Sequence, residues 1–205
     1  MRVVGIVGPA GSGKSTVCRI LSRRKGVVHI DCDRLAWDTY RPGGPAYLPV
    51  LARFGEGILG PDGTVDRAKL GALVFSDSKA KEDLEKIVHP MVMEAMEREL
   101  QKAKEKGAQL ALVEGALLLS SPHVRRDVFD LFLWLSVSEE ERRRRLLAAG
   151  LSAEAIQRRF IAQAELVPPR LPNVVIVDGE GPPAEVARRV LSAIENYFSS
   201  APTSS

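Results

Sequence analysis

The residues with the clearest chemistry lie in a glycine-rich segment near the start of the chain. Residues 8–15 read GPAGSGKS, which matches the pattern G-x-x-x-x-G-K-[ST]. Glycines let such a loop curl until its backbone N–H groups point inward, and a helix that begins directly after it adds its positive end. The pattern therefore predicts a phosphate loop for a nucleotide; a chance glycine-rich turn between a strand and a helix is the alternative.

Several side chains of this loop suit a polyphosphate. The Lys14 ammonium would neutralise the β and γ phosphates, the Ser15 hydroxyl would bind Mg²⁺, and Thr16 would contact an adjacent phosphate oxygen. Lys14 is therefore also a predicted catalytic residue. The predicted nucleotide-binding residues are Gly8, Gly11, Ser12, Gly13, Lys14, Ser15 and Thr16.

Two carboxylates follow the second predicted strand. Asp31 and Asp33 stand where the strand ends, and ligands of open parallel sheets bind at the carboxyl ends of the strands. In phosphoryl transfer to an alcohol, a carboxylate accepts or orients the hydroxyl proton, which makes Asp33 the catalytic candidate. Asp33 could also cap a helix over Leu35 to Tyr40, and the two roles are compatible. Asp31 is either a second polar contact or a turn residue.

The elements that must position these residues alternate between strand-like and helical sequence. Short apolar runs predict five strands, and the alternation predicts a parallel sheet in an α/β fold. The predicted strands are residues 2–7, 27–30, 110–113, 131–137 and 174–177. Helices are predicted at residues 14–24, 138–148, 152–164 and 184–198, the second and third each opened by a serine and the last docked on the sheet.

About 75 residues without a strand-like run separate the second and third strands, which predicts an inserted helical subdomain. Its longest amphipathic stretch, Lys79 to Lys106, contains Pro90. Proline removes a backbone N–H donor and clashes with the preceding turn, so a helix break or kink is predicted near His89 and Pro90.

Composition narrows the class of protein. The 205 residues include 29 basic and 26 acidic side chains, a net charge of +3, which is not the footprint of a nucleic-acid binder. No apolar run reaches the roughly 18 residues of a membrane-spanning helix. Cys18 and Cys32 are too few for a disulfide framework, which favours a reducing cytoplasm. The guanine-specifying Asn-Lys-x-Asp of GTPases does not occur. A small phosphoryl-transfer enzyme with an acceptor-binding insertion and a lid remains.

An ordered series of further motifs resembles one family. The series comprises residues 8–16, 30–33, 44–46, 54–55, 66–67, 73–75, 84–85 and 89–90. In this order and at these spacings they look like dephospho-CoA kinase, over residues 1 to about 198. The resemblance implies Mg²⁺-dependent transfer of the γ-phosphate of ATP to the ribose 3′-hydroxyl of dephospho-CoA. ATP and dephospho-CoA are then the small-molecule partners, and no nucleic-acid or membrane partner is expected.

The resemblance also implies an architecture. We expect a single domain with a three-layer P-loop NTPase fold: a core at about 1–33, 107–148 and 171–198, a helical acceptor-binding insertion at about 34–106, a lid at about 149–170 and a disordered tail at 199–205. The sequence does not predict an oligomeric state.

Matching family positions name further acceptor-site candidates. Arg67 and His89 fall on family motifs, while Asp31 and Glu114 stand at predicted strand ends. Each has an alternative explanation. Arg67 could belong to a surface helix start with Asp66, His89 could be a polar residue at the helix break, and Glu114 could be a solvated carboxylate.

The arginine run at residues 142–145 follows glutamates at 139–141, which predicts ion pairs along one helix face. By resemblance, Arg145 is the lid-proximal arginine that reaches the transferring phosphoryl group, and it is the third predicted catalytic residue. The chain departs from the family at Arg142, Ser120 and Ala149, in residues 166–170, and in residues 178–181, which lack an asparagine. Gln163 or Arg170 could compensate.

Two other functions fit the same residues. One is another small-molecule or nucleotide kinase of the same fold. The other is a regulator that binds a nucleotide without transferring phosphate, which the position of Asp33 argues against.

Overall fold

A computed structural model describes residues 1–115, 118–119 and 122–200 of the chain. Its centre is a five-stranded sheet in the order β2-β3-β1-β4-β5, and every neighbouring pair is parallel. The strands are β1 (Arg2–Val7), β2 (Val27–Asp31), β3 (Leu110–Glu114), β4 (Leu131–Ser136) and β5 (Val174–Asp178). The predicted α/β fold with five parallel strands is confirmed, and each strand boundary lies within one residue of the prediction.

The apolar runs of the central strands β1, β3 and β4 are buried on both faces of the sheet. In β4, Leu131 to Leu135 are all buried, and β1 is buried from Val3 onward. On one face, α1 (Lys14–Leu21) and α8 (Pro183–Ser200) pack against the sheet through Val17, Val186 and Val190. Since all strands run in the same direction, their carboxyl ends share one edge of the sheet.

The helix boundaries are partly as predicted. Ser138 and Ser152 cap α6 (Glu139–Ala148) and α7 (Ala153–Ala162), each accepting a backbone N–H three residues on. Helix α1 ends at Leu21, earlier than predicted, because turns lead from there to β2. Ser199 and Ser200 belong to α8 and not to a tail, while residues 201–205 lie outside the described part of the chain.

The chain divides into two compact units. One comprises residues 1–31 and 103–205 and holds the sheet; the other is Cys32–Lys102. The second unit contains α2 (Cys32–Thr39), α3 (Tyr47–Phe54), α4 (Arg67–Ser76) and most of α5 (Ser78–Glu105), with single 3-10 turns at Glu56–Ile58 there and at Arg126–Val128 in the first unit.

A helix break or kink was predicted near His89 and Pro90, and the break is wrong. Helix α5 continues through Pro90, which costs the helix one backbone hydrogen bond. Buried side chains on both sides of the proline, Val88, Val92 and Met96 among them, anchor the two halves in the same helix. Tertiary packing therefore outweighs the local penalty.

No helix in the described ranges is both long enough and apolar enough to cross a membrane.

Candidate functional site

The loop between β1 and α1 has the conformation that its glycines were expected to allow. Gly11 and Gly13 have φ of 82° and 93°, a region that other residues rarely adopt. A Cβ on Gly11 would lie 2.8 Å from the carbonyl oxygen of Arg142, so a side chain has no room there. Gly13 is the N-cap of α1, and the first turn of that helix carries no acidic residue. The loop thus presents a positive helix end to an anion.

The polar side chains of the loop differ in exposure. Lys14 is half-buried, and its Nζ donates to the carbonyl oxygens of Gly8 at 2.9 Å and Pro9 at 3.3 Å. Ser15 is exposed and Thr16 half-buried at the start of α1. Ser12 is buried, and its Oγ has no hydrogen-bond partner within the described residues. An unpartnered buried hydroxyl beside a helix N-terminus suits a phosphate oxygen as acceptor.

Helix α6 brings a cation to this loop. The predicted pairs form along the helix, with Arg143 on Glu139 at 3.0 Å and both Arg144 and Arg145 on Glu141 at 2.7 Å. Arg145 extends further: its Nη1 donates to the carbonyl oxygen of Ser12 at 3.2 Å, and its Nη2 donates to that of Gly179 at 2.9 Å.

A glutamine at the end of α7 also contacts the loop. The Ala10 N–H donates to Gln163 Oε1 at 2.7 Å, so a side chain occupies this backbone donor of the phosphate loop. Arg142, on α6, has its guanidinium 4.5 Å from the centre of the Phe160 ring. Burial lowers the pKa of Arg142, and its Nε has no partner among the described residues. The two helices therefore pack directly against the phosphate loop.

The loop after β5 contributes backbone groups. In the loop at residues 178–181, the Gly179 carbonyl oxygen accepts a hydrogen bond from Arg145 Nη2. The Glu180 carbonyl oxygen accepts one from Arg189 Nη1 at 2.7 Å. Glu180 Oε1 accepts the Ser138 N–H at 2.8 Å. Hydrogen bonds therefore connect this loop to the N-cap of α6 and to Arg145. They form without the asparagine that the family usually has in this loop.

Two carboxylates stand side by side at the carboxyl edge of the sheet. Asp31 and Glu114 are register partners in β2 and β3. The interpretation of Glu114 as a solvated strand-end carboxylate is wrong, because the residue is only 3% exposed. Its Oε1 lies 3.1 Å from His29 Nε2, whereas its Oε2 has no partner in the described chain. Glu114 is thus a buried acid that is only half satisfied.

Asp33 lies in the second unit, two residues beyond the end of β2, and is exposed. The interpretation of Asp33 as the helix N-cap is wrong, because α2 begins at Cys32 and Asp33 is already in its first turn. A carboxylate there is favoured by the positive end of the helix.

Arg67, also in the second unit, lies with its guanidinium over the ring of Trp37. Burial lowers the pKa of Arg67, and burial together with the charge of Asp33 raises the pKa of Tyr40, which Arg67 opposes. Asp66 caps α4 by accepting the N–H groups of Ala68 and Lys69, and so serves the helix start. Trp37 and Tyr40 were not predicted as site residues, although two aromatic residues three positions apart after Asp33 are visible in the sequence.

His89 is half-buried in the middle of α5, so it does not lie at a helix break.

The structure places the phosphate loop and Arg145 in the first unit, with Asp31 and Glu114 at the carboxyl edge of its sheet. It gathers Asp33, Tyr40 and Arg67 in the second unit, and Ser120 lies outside the described residues.

Comparison with known proteins identifies the family. Residues 2–180 match the family described as dephospho-CoA kinase. The chain belongs to the dephospho-CoA kinase family. A curated dephospho-CoA kinase of Geobacter sulfurreducens is 38% identical over 191 residues, which cover 93% of this chain and 95% of that protein.

Solved structures agree on the fold. A crystal structure from Thermus thermophilus superimposes with a TM-score of 0.75 at 29% identity, covering 96% of this chain and 97% of the other. A dephospho-CoA kinase from Campylobacter jejuni gives a TM-score of 0.60 at 20% identity, covering 96% and 98%. Membership in the dephospho-CoA kinase family makes this chain an enzyme with ATP as its co-substrate. The roles of individual residues remain predictions.

Proposed function

We propose that this chain transfers the γ-phosphoryl group of ATP to the ribose 3′-hydroxyl of dephospho-CoA, which yields coenzyme A and ADP. The observation that carries this proposal is the match to the dephospho-CoA kinase family over residues 2–180. The match contains the complete phosphate loop, the two strand-end carboxylates and Asp33. The reaction is the last step of coenzyme A synthesis.

On the nucleotide side, the chain supplies donors and positive charge. The N–H groups of the phosphate loop and the N-terminus of α1 hold the β and γ phosphates, and Lys14 turns from the Gly8 and Pro9 carbonyls toward them. Arg145, already bound to Ser12 within the loop, adds a cation for the charge that develops on the transferring group. We also propose that residues 178–181 recognise the base through backbone groups.

Magnesium fits the donor set at the start of α1. Ser15 offers an exposed hydroxyl oxygen, and magnesium prefers oxygen ligands that it shares with substrate phosphates. When bound with ATP, the ion neutralises phosphate charge and fixes the phosphates in place. Ser15 is the residue that would hold it.

On the acceptor side, Asp33 orients the ribose hydroxyl and accepts its proton. The support is chemical: an exposed carboxylate lies two residues after a sheet strand, in a helix turn that stabilises its charge. We propose that the helical insertion at residues 34–106 binds dephospho-CoA. Arg67, His89 and the carboxylates of Asp31 and Glu114 are the candidate contacts.

Trp37 and Tyr40 extend this acceptor surface. Arg67 lies over Trp37, whose ring centre is 6.1 Å from that of Tyr40, so a cation and two aromatic rings stand together. Such a surface suits a base with attached phosphates. We further propose that residues 149–170 form the lid. We also propose a cytoplasmic location, which the use of ATP supports.

An acceptor panel tests the proposed function. Purified protein is incubated with ATP and Mg²⁺ plus dephospho-CoA, a nucleoside monophosphate, a nucleoside or a sugar, and ADP release is measured. We expect release only with dephospho-CoA, together with coenzyme A formation, and neither in a Lys14→Ala control. Release with another acceptor alone would make the chain a different small-molecule kinase. Tight ATP binding with no acceptor-dependent ADP would make it a nucleotide-binding regulator.

A further inference from the structure

Three side chains with metal-binding groups converge inside the first unit. Cys18 comes from α1, His29 from β2 and Glu114 from β3, and one ligand atom of each lies within 4.8 Å of the others. The predicted kinase chemistry uses neither Cys18 nor His29. Cys18 and His29 lie on consecutive elements, and the sheet brings Glu114 to them from a distant part of the sequence.

The cluster is enclosed but can be reached. Cys18 is fully buried and Glu114 nearly so, while the His29 side chain is 21% exposed and provides a route from solvent. Glu114 Oε2 is buried with no partner among the described residues. A buried carboxylate oxygen without a partner is costly, and a cation between the three groups would satisfy it.

We propose that Cys18 Sγ, a ring nitrogen of His29 and the carboxylate of Glu114 bind one Zn²⁺ ion, with the fourth position left to water. Zinc takes sulfur, nitrogen and oxygen ligands in tetrahedral sites. With bond lengths of about 2.0–2.2 Å, tetrahedral nitrogen and oxygen ligands stand about 3.4 Å apart. The existing separation of 3.1 Å between His29 Nε2 and Glu114 Oε1 needs little adjustment.

The charges also balance. A thiolate and a carboxylate offset the two positive charges of the ion, and the imidazole binds as the neutral form. Burial, and next the charge of Glu114, raise the pKa of the Cys18 thiol well above its usual range. The thiol is therefore protonated without the ion, and binding breaks the S–H bond, forms an S–Zn bond and releases one proton to the buffer. Mg²⁺, which prefers oxygen ligands, does not compete.

Cobalt spectroscopy tests this proposal without nucleotide or acceptor, so the result is independent of kinase activity. Co²⁺ is added to the metal-free full chain, and the sulfur-to-cobalt charge-transfer band is recorded. We expect one equivalent to saturate the band, Zn²⁺ to abolish it and Mg²⁺ to leave it unchanged. The band should be lost in Cys18→Ser. It should remain in the matched control Cys32→Ser, which changes the second buried cysteine.

A second pair of variants keeps Cys18 and covers the case in which Cys18→Ser does not fold. His29→Gln should weaken Zn²⁺ binding by about tenfold or more, since even outer contacts of metal sites contribute roughly 10–100-fold. The control His123→Gln, at an exposed position, should not change the affinity. No cobalt band in the wild type, a band that depends on Cys32 instead, or equal affinities of the two histidine variants would each overturn the proposal.

Discussion

Arg145→Ala removes a guanidinium that links α6 both to the phosphate loop and to the loop after β5. Its side chain is 23% exposed, and it donates to Glu141, Ser12 and Gly179 at 2.7, 3.2 and 2.9 Å. If the same cation stabilises the transferring phosphoryl group, its loss affects turnover more than stability.

The expected magnitudes separate these two effects. Removal of a preorganised donor from transition-state charge costs about 10²–10³-fold in kcat, which is about 2.7–4 kcal/mol. Loss of the contacts to the carbonyls of Ser12 and Gly179 costs about 1.5–3 kcal/mol of stability, because their donor is charged. For a chain of this size that lowers the Tm by about 3–12 °C. The KM for ATP should also rise, since Arg145 holds the phosphate loop through the Ser12 carbonyl oxygen.

Arg144→Ala is the matched control. Arg144 pairs with the same Glu141 but is 73% exposed, and no contact with the phosphate loop is among its interactions. We expect its kcat and KM to stay within about twofold of the wild type, as for surface ion pairs in general. Steady-state rates of dephospho-CoA phosphorylation, with Tm by differential scanning fluorimetry, provide the comparison. Equal kcat values for the two variants would refute the role of Arg145.

Three further predictions concern other parts of the site. Asp33→Asn should lower kcat by about 10²–10⁴-fold with an unchanged KM for ATP, because the carboxylate acts on the acceptor. Asp38→Asn in the same helix is the control. An unchanged kcat in Asp33→Asn would assign the catalytic role to another residue. Gln163→Ala should lower the KM for ATP by up to about fivefold. In the wild type a phosphate oxygen would have to displace the Gln163 side chain from the Ala10 N–H, and the hydrogen bond lost is worth about 1 kcal/mol. A raised KM for ATP would contradict this prediction. Hydrogen bonds from Arg144 and Arg145 lower the pKa of Glu141 from 4.5 to about 2. The stability from this shift is fully present above pH 4.5 and is lost as the pH falls toward 2, so the Tm difference between wild type and Glu141→Gln should vanish over that range. A constant difference would show that the charge is not involved.

The sheet could be predicted closely because buried parallel strands are continuous apolar runs that local sequence alone displays. The helix starts at Ser138 and Ser152 are likewise local, since a cap bonds within three residues. Pro90 misled the prediction because its local penalty is visible in the sequence, whereas the buried neighbours that outweigh it are not. Local signals were therefore reliable wherever no distant contact opposed them.

In the candidate site, too, features formed by residues close in sequence could be predicted and contacts between distant segments could not. The phosphate loop is contiguous in sequence, so the motif alone predicts its turn and the helix after it, whereas contacts between distant segments were not predicted. Glu114 is buried beside His29 because β2 and β3 are neighbours in the sheet, which no spacing along the chain indicates. Arg67 meets Trp37 from another helix of the insertion for the same reason. Gln163 was named only as a residue of the predicted lid that could compensate for a departure from the family, and its contact with Ala10 was not predicted.

The strand order has a consequence for how the chain is made. Within the described residues, strand β1, which leads into the phosphate loop, pairs with β3 and β4, and the first register pair joins Arg2 to Leu110. At about 5–20 residues per second, a ribosome needs on the order of 5–20 s to bridge that interval. The unit Cys32–Lys102 is complete before β3 emerges. Although β1 is the first strand of the sheet to be synthesised, it thus stays unpaired until about half of the 205 residues have been made.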